Sequence, residues 1–291
     1  MRITYQDDCI AVIDELLDGA EFDRLSNYLQ HIRFPAKVGT ITTDVSPKYA
    51  LQSHIYLTER AREDFPRLAQ AASEQKFLHS LPSGDPCDLI TNKFDALAGV
   101  LDDVVEDRTY GYVRDCYRSE AGAGYAWHRD ADVYKGGFVF YGSPTWDVNW
   151  GGEFMVFSKL FPSLKSIPPE QQLADFDGGR FFFPRPNRLI VIKGGTPHRV
   201  NAVAHAAKIP RFTVAGFFLT ELGLKAREQA YFDNVLSKPK WQQRLLGAAL
   251  RPHQDMVEIF ETLAHMLARF LVAIGNAGVM ANEDVLGRRL P

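Results

Sequence analysis

Residues 180–219 read RFFFPRPNRLIVIKGGTPHRVNAVAHAAKIPRFTVAGFFL. Short runs of β-branched and aromatic residues alternate there with Gly, Pro and Asn, which is typical of short strands joined by turns. The same alternation extends back to about residue 110. It predicts eight strands, at about residues 110–118, 124–129, 136–142, 152–158, 180–184, 188–193, 197–202 and 210–219.

Eight short strands within roughly 110 residues favour a jelly roll, a barrel made of two sheets. The flanks differ, because their apolar residues recur at helical spacing, at residues 21–32, 58–75, 89–105 and beyond 220. We therefore expect an α+β chain with a mainly β core, a double-stranded β-helix buttressed by N- and C-terminal helices. Residues 1–291 would form a single domain, with helical support at 1–105, the jelly-roll core at 110–219 and a helical extension at 220–291.

The composition excludes several classes of protein. The 291 residues carry 33 basic and 36 acidic side chains, a formal net charge of −3, which gives no basic footprint for nucleic acid. No run of about 18 apolar residues occurs, so we expect no membrane span. The N-terminal residues turn acidic at Asp7 and Asp8, where a signal peptide needs an apolar run. Three scattered cysteines are too few for a disulfide framework, so we expect a reducing, cytoplasmic setting.

The tripeptide His-x-Asp occurs twice. The first copy, at His128 and Asp130, falls in a predicted strand, where residues i and i+2 share a face and aim at one point. The second copy, at His253 and Asp255, falls in a helical run, where such residues diverge by roughly 200°. The first copy is therefore the candidate metal site.

An iron site of two histidines and one carboxylate needs one more histidine and leaves open positions on the metal. His198 is the candidate, because it follows a predicted strand that ends in a Gly-Gly turn. His205 competes with it, but lies in a stretch that reads as a loop. The sequence thus favours His198 as the third ligand.

The strand that follows His198 carries a second signal. Arg211 and Thr213 share one face of this strand, and arginine is suited to a bidentate contact with a carboxylate. An arginine buried in a barrel needs an anionic partner, since an unpaired buried charge is very costly. No obvious acidic mate lies on the neighbouring strands, so a ligand carboxylate would serve.

Taken in order, these residues resemble the iron(II)/2-oxoglutarate-dependent dioxygenases, most of all their prolyl-hydroxylase branch. The resemblance covers roughly residues 110–219. The matching positions are Cys116-Tyr117, Gly122, Gly124-Tyr125, His128-x-Asp130, Phe138–Tyr141, Trp146-Asp147, Gly151–Phe154, Pro186–Leu189, Pro197–Val200 and Arg211-Phe212.

The resemblance implies a role for each site residue and a set of cofactors: Fe(II), the co-substrate 2-oxoglutarate, and O₂. The catalytic metal ligands would be His128, Asp130 and His198. Arg211 would hold the distal carboxylate of 2-oxoglutarate, with Tyr141 donating to the same carboxylate. Tyr117 and Thr213 would complete the co-substrate pocket.

The resemblance also implies hydroxylation of an unactivated C–H bond with release of succinate and CO₂. A small-molecule substrate, such as an amino acid or secondary metabolite, is preferred because the chain has no basic or peptide-docking repeat. A protein or peptide hydroxylase of the prolyl type is the alternative. A non-catalytic metal-binding jelly roll is a third hypothesis, against which Arg211 and Tyr141 argue, since a binding module needs no clamp for 2-oxoglutarate.

Overall fold

The computed structural model describes residues 1–34, 36–38, 48–73, 84–105, 108, 110–130, 134–157 and 179–231. The chain divides into two units, Met1–Asn234 and Val235–Pro291, and the second lies outside the described residues. The part of the predicted helical extension that follows residue 231 lies outside the described residues, as does the second His-x-Asp, at His253.

The N-terminal region contains strands as well as helices, which corrects the prediction of a helical support over residues 1–105. Four strands precede the core: β1 (Arg2–Gln6), β2 (Ile10–Asp14), β3 (Ala36–Val38) and β4 (Lys48–Leu57). All five residues of β2 are buried, because the strand lies inside the sheet and its two faces pack into different apolar clusters, Ala11 and Ile13 in one and Ile10 and Val12 in the other. A short apolar run of this kind has no alternation, so periodicity alone does not distinguish it from a helical turn.

All eight predicted core strands are present. They are β5 (Gly111–Ser119), β6 (Tyr125–His128), β7 (Tyr134–Tyr141), β8 (Phe154–Val156), β9 (Arg180–Phe182), β10 (Arg188–Lys193), β11 (His198–Val200) and β12 (Arg211–Leu219). One antiparallel sheet has the order β1-β2-β10-β7-β12-β5-β4-β3, and the other has the order β6-β11-β8-β9. Apart from the β8–β9 hairpin, consecutive core strands switch sheets. This topology is that of a jelly roll, so the predicted mainly β core is confirmed.

The described helices are short. They are α1 (Gly19–His31), α2 (Glu59–Asp64), α3 (Pro66–Ser73), α4 (Asp88–Thr91), α5 (Ala98–Val104) and α6 (Glu221–Tyr231). Helix α1 matches the prediction and begins with a capping box between Asp18 and Glu21. The single helix predicted over residues 58–75 is split, because Pro66 has no N–H to continue α2 and is tolerated in the first turn of α3. No helix in the described part of the chain is long and apolar enough to cross a membrane.

The large sheet is apolar on both faces. On one face, Phe138 and Phe218 belong to the same buried cluster as Leu25 of α1 and Leu101 of α5. On the other face, a second cluster joins the two sheets of the barrel; it contains Tyr141, Ile190 and Ile192 of the large sheet with Phe154 and Val156 of the small sheet. The functional residues lie between the two sheets, beside this second cluster.

Candidate metal centre

The pairing of β6 with β11, together with the residues that follow β6, brings the three predicted metal ligands together. His128 ends β6 and His198 begins β11, and the two are direct cross-strand partners whose ring centroids lie 4.2 Å apart. Asp130 follows two residues after His128. Its Oδ1 lies 3.8 Å from Nε2 of each histidine, and all three ligand atoms lie within 4.8 Å of one another. Strand pairing therefore forms the cluster from residues 70 positions apart in the sequence.

Backbone carbonyls orient both imidazole rings. Nδ1 of His128 lies 2.8 Å from the Ala126 carbonyl oxygen, and Nδ1 of His198 lies 2.9 Å from the Thr196 carbonyl oxygen. Each Nδ1–H donates to its carbonyl, which leaves the Nε2 lone pair directed at Asp130. Two neutral imidazole nitrogens and one carboxylate oxygen are the donor set of non-haem iron(II) sites, so these residues fit that metal.

Burial shifts the protonation of two of these ligands. It lowers the pKa of His198 to about 4, so this imidazole is neutral at physiological pH and is ready to ligate. Burial also raises the pKa of Asp130 to about 6, an effect that the nearby His128 partly offsets. A buried carboxylate flanked by two histidines gains from a cation.

A cavity of about 320 Å³ lies between the two sheets beside the three ligands. It is lined by all seven predicted site residues: His128, Asp130, His198, Arg211, Tyr141, Tyr117 and Thr213. Along β12 the lining residues are Arg211, Thr213, Ala215 and Phe217, which are alternate positions that face the barrel interior, together with Gly216. Arg211 and Thr213 therefore share one face of β12, as their spacing in the sequence predicted.

Arg211 is buried without an acidic partner in the described part of the chain. Its Nη1 donates to the Gly152 carbonyl oxygen at 3.0 Å, while its Nε has no hydrogen-bond partner and burial lowers its pKa. The other buried arginine, Arg114, is held by Asp85 and Asp88 at 3.0 and 2.7 Å. Arg211 has no such ion pair among the described residues, and the charge of Glu153, which raises its pKa, does not outweigh the effect of burial.

The Tyr141 hydroxyl is a second buried group with no hydrogen-bond partner, and burial raises its pKa to about 12. Tyr141 on β7 is the cross-strand partner of Thr213 on β12, and Thr213 lies two residues after Arg211. A guanidinium, a phenol and a threonine hydroxyl thus line the same end of the cavity. This donor set suits a carboxylate, which accepts several hydrogen bonds at once.

Tyr117 lines the cavity as predicted, but its hydroxyl has a hydrogen-bond partner that the sequence analysis did not predict. It is the cross-strand partner of Thr213 on β5 and lines the cavity. Its hydroxyl, however, donates to Asp115 at 2.8 Å, and burial, followed by the Asp115 charge, raises its pKa. The sequence resemblance gave no indication of this aspartate, which faces the same side of β5 two residues before Tyr117.

Two glycines are required by the site. Gly152 has a φ of +76°, and a Cβ there would lie 2.6 Å from Nη1 of Arg211. A Cβ on Gly137 would lie 3.3 Å from Oδ2 of Asp130. Both glycines leave room for a side chain of the site. The Gly151-Gly152 pair is the sequence signal that could have identified Gly152.

Strand alternation predicts that Arg129 faces away from the metal ligands, and the structure differs. Because β6 ends at His128, alternation no longer governs the next residue, and Arg129 lines the cavity. Its Nη2 lies 3.1 Å from the position that a Cβ on Gly195 would occupy. His205, the competitor of His198, lies in an exposed turn and is not part of the ligand cluster.

A family model described as the 2OG-Fe(II) oxygenase superfamily matches residues 114–219. Among solved structures, a prolyl-4-hydroxylase from Pseudomonas putida is 14% identical with a TM-score of 0.47, covering 73% of this chain and 92% of that chain. A 2OG-Fe(II) oxygenase family oxidoreductase from Burkholderia pseudomallei is 16% identical with a TM-score of 0.41, covering 72% and 84%. A prolyl hydroxylase from Trichoplax adhaerens, in complex with a hypoxia inducible factor oxygen degradation domain peptide fragment, is 17% identical with a TM-score of 0.41, covering 75% and 87%. The comparison with curated proteins gives no match.

Proposed function

Because the family model of the 2OG-Fe(II) oxygenase superfamily matches residues 114–219, we propose that the chain hydroxylates an unactivated C–H bond of a small molecule. When bound, Fe(II) with 2-oxoglutarate and O₂ supplies the oxidising power for this reaction, with succinate and CO₂ as co-products. In this proposal His128, Asp130 and His198 bind the iron. Arg211 and Tyr141 bind the distal carboxylate of 2-oxoglutarate, beside Thr213.

The chain's own residues then have three tasks. The two histidines and Asp130 leave open positions on the metal, so that co-substrate and O₂ have places to bind. Arg211 and Tyr141 fix the far end of the co-substrate and so set its orientation. Apolar side chains of the cavity, including Phe154 and Ile192, exclude water from the reacting atoms.

One observation carries this function: the three metal ligands share a cavity with a buried arginine that has no acidic partner among the described residues. A metal-binding module without catalytic activity needs the ligands alone. Keeping Arg211 buried without a counter-charge is costly, and a dicarboxylate co-substrate removes that cost. The observation therefore favours the oxygenase over the non-catalytic barrel.

The test is slow succinate release from 2-oxoglutarate in air, with Fe(II) and without added substrate. We expect release by the wild type and by His205→Ala, whose side chain is exposed and outside the cavity. We expect His128→Ala to fall to the background rate. Anaerobic mixing of protein, Fe(II) and 2-oxoglutarate should also give a visible charge-transfer absorption in the first two proteins alone. The proposal is refuted if the wild type, like His128→Ala, shows neither succinate release above background nor the charge-transfer absorption.

A small-molecule substrate is supported by the sequence, which has no basic or peptide-docking repeat. The prolyl-type peptide hydroxylase is the second candidate, and the open cavity of about 610 Å³ next to the first is the observation that favours it. A screen of free amino acids and of proline-containing peptides for substrate-stimulated succinate release separates the two. Stimulation by peptides alone would assign the second.

The proposal includes a reducing, cytoplasmic setting. Cys9, Cys87 and Cys116 are buried free thiols, and Cys87 Sγ lies 3.3 Å from Cys116 Sγ. Fractionation of cells that express the tagged chain should recover it with cytoplasmic markers. Recovery with a secreted or periplasmic marker would contradict this part of the proposal.

A further inference from the structure

We propose that Glu153 and Asn201 position the guanidinium group of Arg211, and so determine how strongly the site prefers a dicarboxylic 2-oxo acid to a monocarboxylic one. The inference rests on the proposed function, in which Arg211 binds the distal carboxylate of 2-oxoglutarate. It gives a role to two half-buried residues that are outside the cavity lining. Because they act through Arg211, they are positioning residues.

Arg211 is held at one nitrogen of its guanidinium group. Nη1 donates to the Gly152 carbonyl oxygen at 3.0 Å and makes a longer contact with the Asn201 carbonyl oxygen at 3.5 Å. In the described part of the chain, Nη1 is the only nitrogen of this group that has a hydrogen bond. Nε and Nη2 form another edge, whose two parallel N–H groups suit one carboxylate. The contacts of Nη1 therefore determine which way this edge faces.

The two carbonyl groups belong to two segments that continue the pairing of β8 with β11. Gly152 and Glu153 precede β8, and Asn201 follows β11. The Asn201 N–H donates to the Glu153 carbonyl oxygen at 2.9 Å. The Gly152 N–H donates to the Ala202 carbonyl oxygen at 3.1 Å. The position of Nη1 thus depends on how these two segments lie against each other.

A side-chain hydrogen bond also links the two segments. Asn201 Nδ2 donates to Glu153 Oε2 at 3.0 Å, and an ionised acceptor makes such a bond stronger than a neutral one. Asn201 and Glu153 are therefore joined twice, once through the backbone and once through their side chains. Loss of the side-chain bond should let the Gly152 and Asn201 carbonyl groups move relative to each other and change the direction of the Nε–Nη2 edge.

The charge of Glu153 acts on both groups that would bind the distal carboxylate. Burial lowers the pKa of Arg211, and the charge of Glu153 is one of the effects that oppose it. Burial raises the pKa of Tyr141, and the charge of Glu153 adds to that rise. Glu153 therefore favours a charged guanidinium and a neutral phenol, which are the donors that a carboxylate needs.

The experiment measures binding without turnover. 2-Oxoglutarate and 2-oxobutyrate, which lacks the distal carboxylate, are titrated calorimetrically into anaerobic protein that holds Fe(II). Glu153→Gln keeps an acceptor for Asn201 and loses the charge, whereas Glu153→Ala loses both. We expect Glu153→Ala to bind 2-oxoglutarate at least threefold more weakly than Glu153→Gln, because only glutamine keeps the hydrogen bond. Affinity for 2-oxobutyrate should be equal in the two variants, since this acid does not use Arg211.

Asn201→Ala tests the same bond from its other end. It should weaken the binding of 2-oxoglutarate at least threefold in the wild-type background. In the Glu153→Ala background it should have no further effect, because the two side chains share one hydrogen bond. Glu63→Ala is the control, since Glu63 is exposed on α2 and lines neither cavity, and it should bind both acids as the wild type does.

The inference is overturned if Glu153→Ala and Glu153→Gln bind 2-oxoglutarate equally. It is also overturned if Glu153→Ala and Asn201→Ala weaken the binding of both acids alike, since that result would show a general structural role. A wild type that binds neither acid contradicts the proposed function and the inference with it. A wild type that binds 2-oxoglutarate, with an unchanged preference in the variants, overturns the positioning role alone and leaves the proposed function standing.

Discussion

At the scale of single residues, Arg211 and Arg114 show how a buried charge reveals a function. Both guanidinium groups are removed from solvent, and Arg114 is neutralised by two aspartates of this chain. Arg211 donates to a backbone carbonyl and keeps its Nε free. The proposed function accounts for this difference, since it assigns Arg211 to a ligand carboxylate, whereas Arg114 is paired within the chain.

Arg211→Lys tests this distinction. Lysine keeps the positive charge but loses the planar pair of donors that matches a carboxylate. Loss of one charge-assisted hydrogen bond costs about 1.5–3 kcal/mol, so the KM for 2-oxoglutarate should rise about ten- to hundredfold. Succinate release measured against 2-oxoglutarate concentration gives this value, and Arg118→Lys, an exposed position, is the control. An unchanged KM would show that Arg211 does not bind the co-substrate.

Gly152→Ala should damage the same end of the cavity without altering any polar group. The new Cβ would collide with Nη1 of Arg211, and the positive φ is strained for alanine, at a cost of about 1–3 kcal/mol. We expect lower stability in urea unfolding together with weaker binding of 2-oxoglutarate. Gly99→Ala is the matched control, because nothing lies within 4 Å of its Cβ position in α5 and alanine favours a helix. Intact 2-oxoglutarate binding in Gly152→Ala would contradict the close contact.

The site residues were largely predictable because their spacing is fixed by strand geometry. His128 and Asp130 are two residues apart, and Arg211 and Thr213 follow the same period along β12. Arg129 was not predictable in this way, since strand β6 ends one residue before it. The contact of Tyr117 with Asp115 follows the same two-residue period on β5, whereas the meeting of His128 with His198 depends on which strands become neighbours.

At the scale of elements, the core strands were predictable and the N-terminal strands were not. The core strands are separated by Gly, Pro and Asn, so their ends are marked in the sequence. Strand β2 lacks such a pattern, because its fully buried run carries no polar alternation. The helix predicted over residues 89–105 is likewise interrupted, with turns at residues 92–97 between α4 and α5.

Strand β7 should be sensitive to truncation of its large side chains, since it is packed on both faces. Phe138 is buried and makes ring contacts with Phe94 and Phe218 at 5.2 and 5.5 Å. We expect Phe138→Ala to lower the free energy of unfolding by about 3–5 kcal/mol. Phe181→Ala on β9, where the side chain is 57% exposed, should stay within about 0.5 kcal/mol. Chemical denaturation of both variants checks this, and equal losses would refute the assigned packing.

At the scale of the whole molecule, the barrel's stability should depend on its co-substrate. Filling the site at a hundred times Kd adds about 2.7 kcal/mol to the folded state, roughly 5–10 °C in Tm for a domain of this size. We expect this shift when Fe(II) and 2-oxoglutarate are added anaerobically. The mono-acid 2-oxobutyrate, which lacks the distal carboxylate, should give a clearly smaller shift in scanning fluorimetry. The same shift from both acids would contradict the role of Arg211, and a chelator should abolish the part that depends on metal.

Under the proposed function, the position of Arg211 and Tyr141 predicts the order in which ligands bind and leave. Both lie at the buried end of β12 and β7, with exposures of 3% and 1%, while the open cavity adjoins the opposite ends of those strands. We therefore expect ligands to enter from the open cavity and to pass the metal ligands before they reach Arg211. 2-Oxoglutarate must therefore bind before the substrate occupies the entrance, and succinate must leave after the product has left it. Kinetics should accordingly be compulsory-ordered, with 2-oxoglutarate first on and succinate last off.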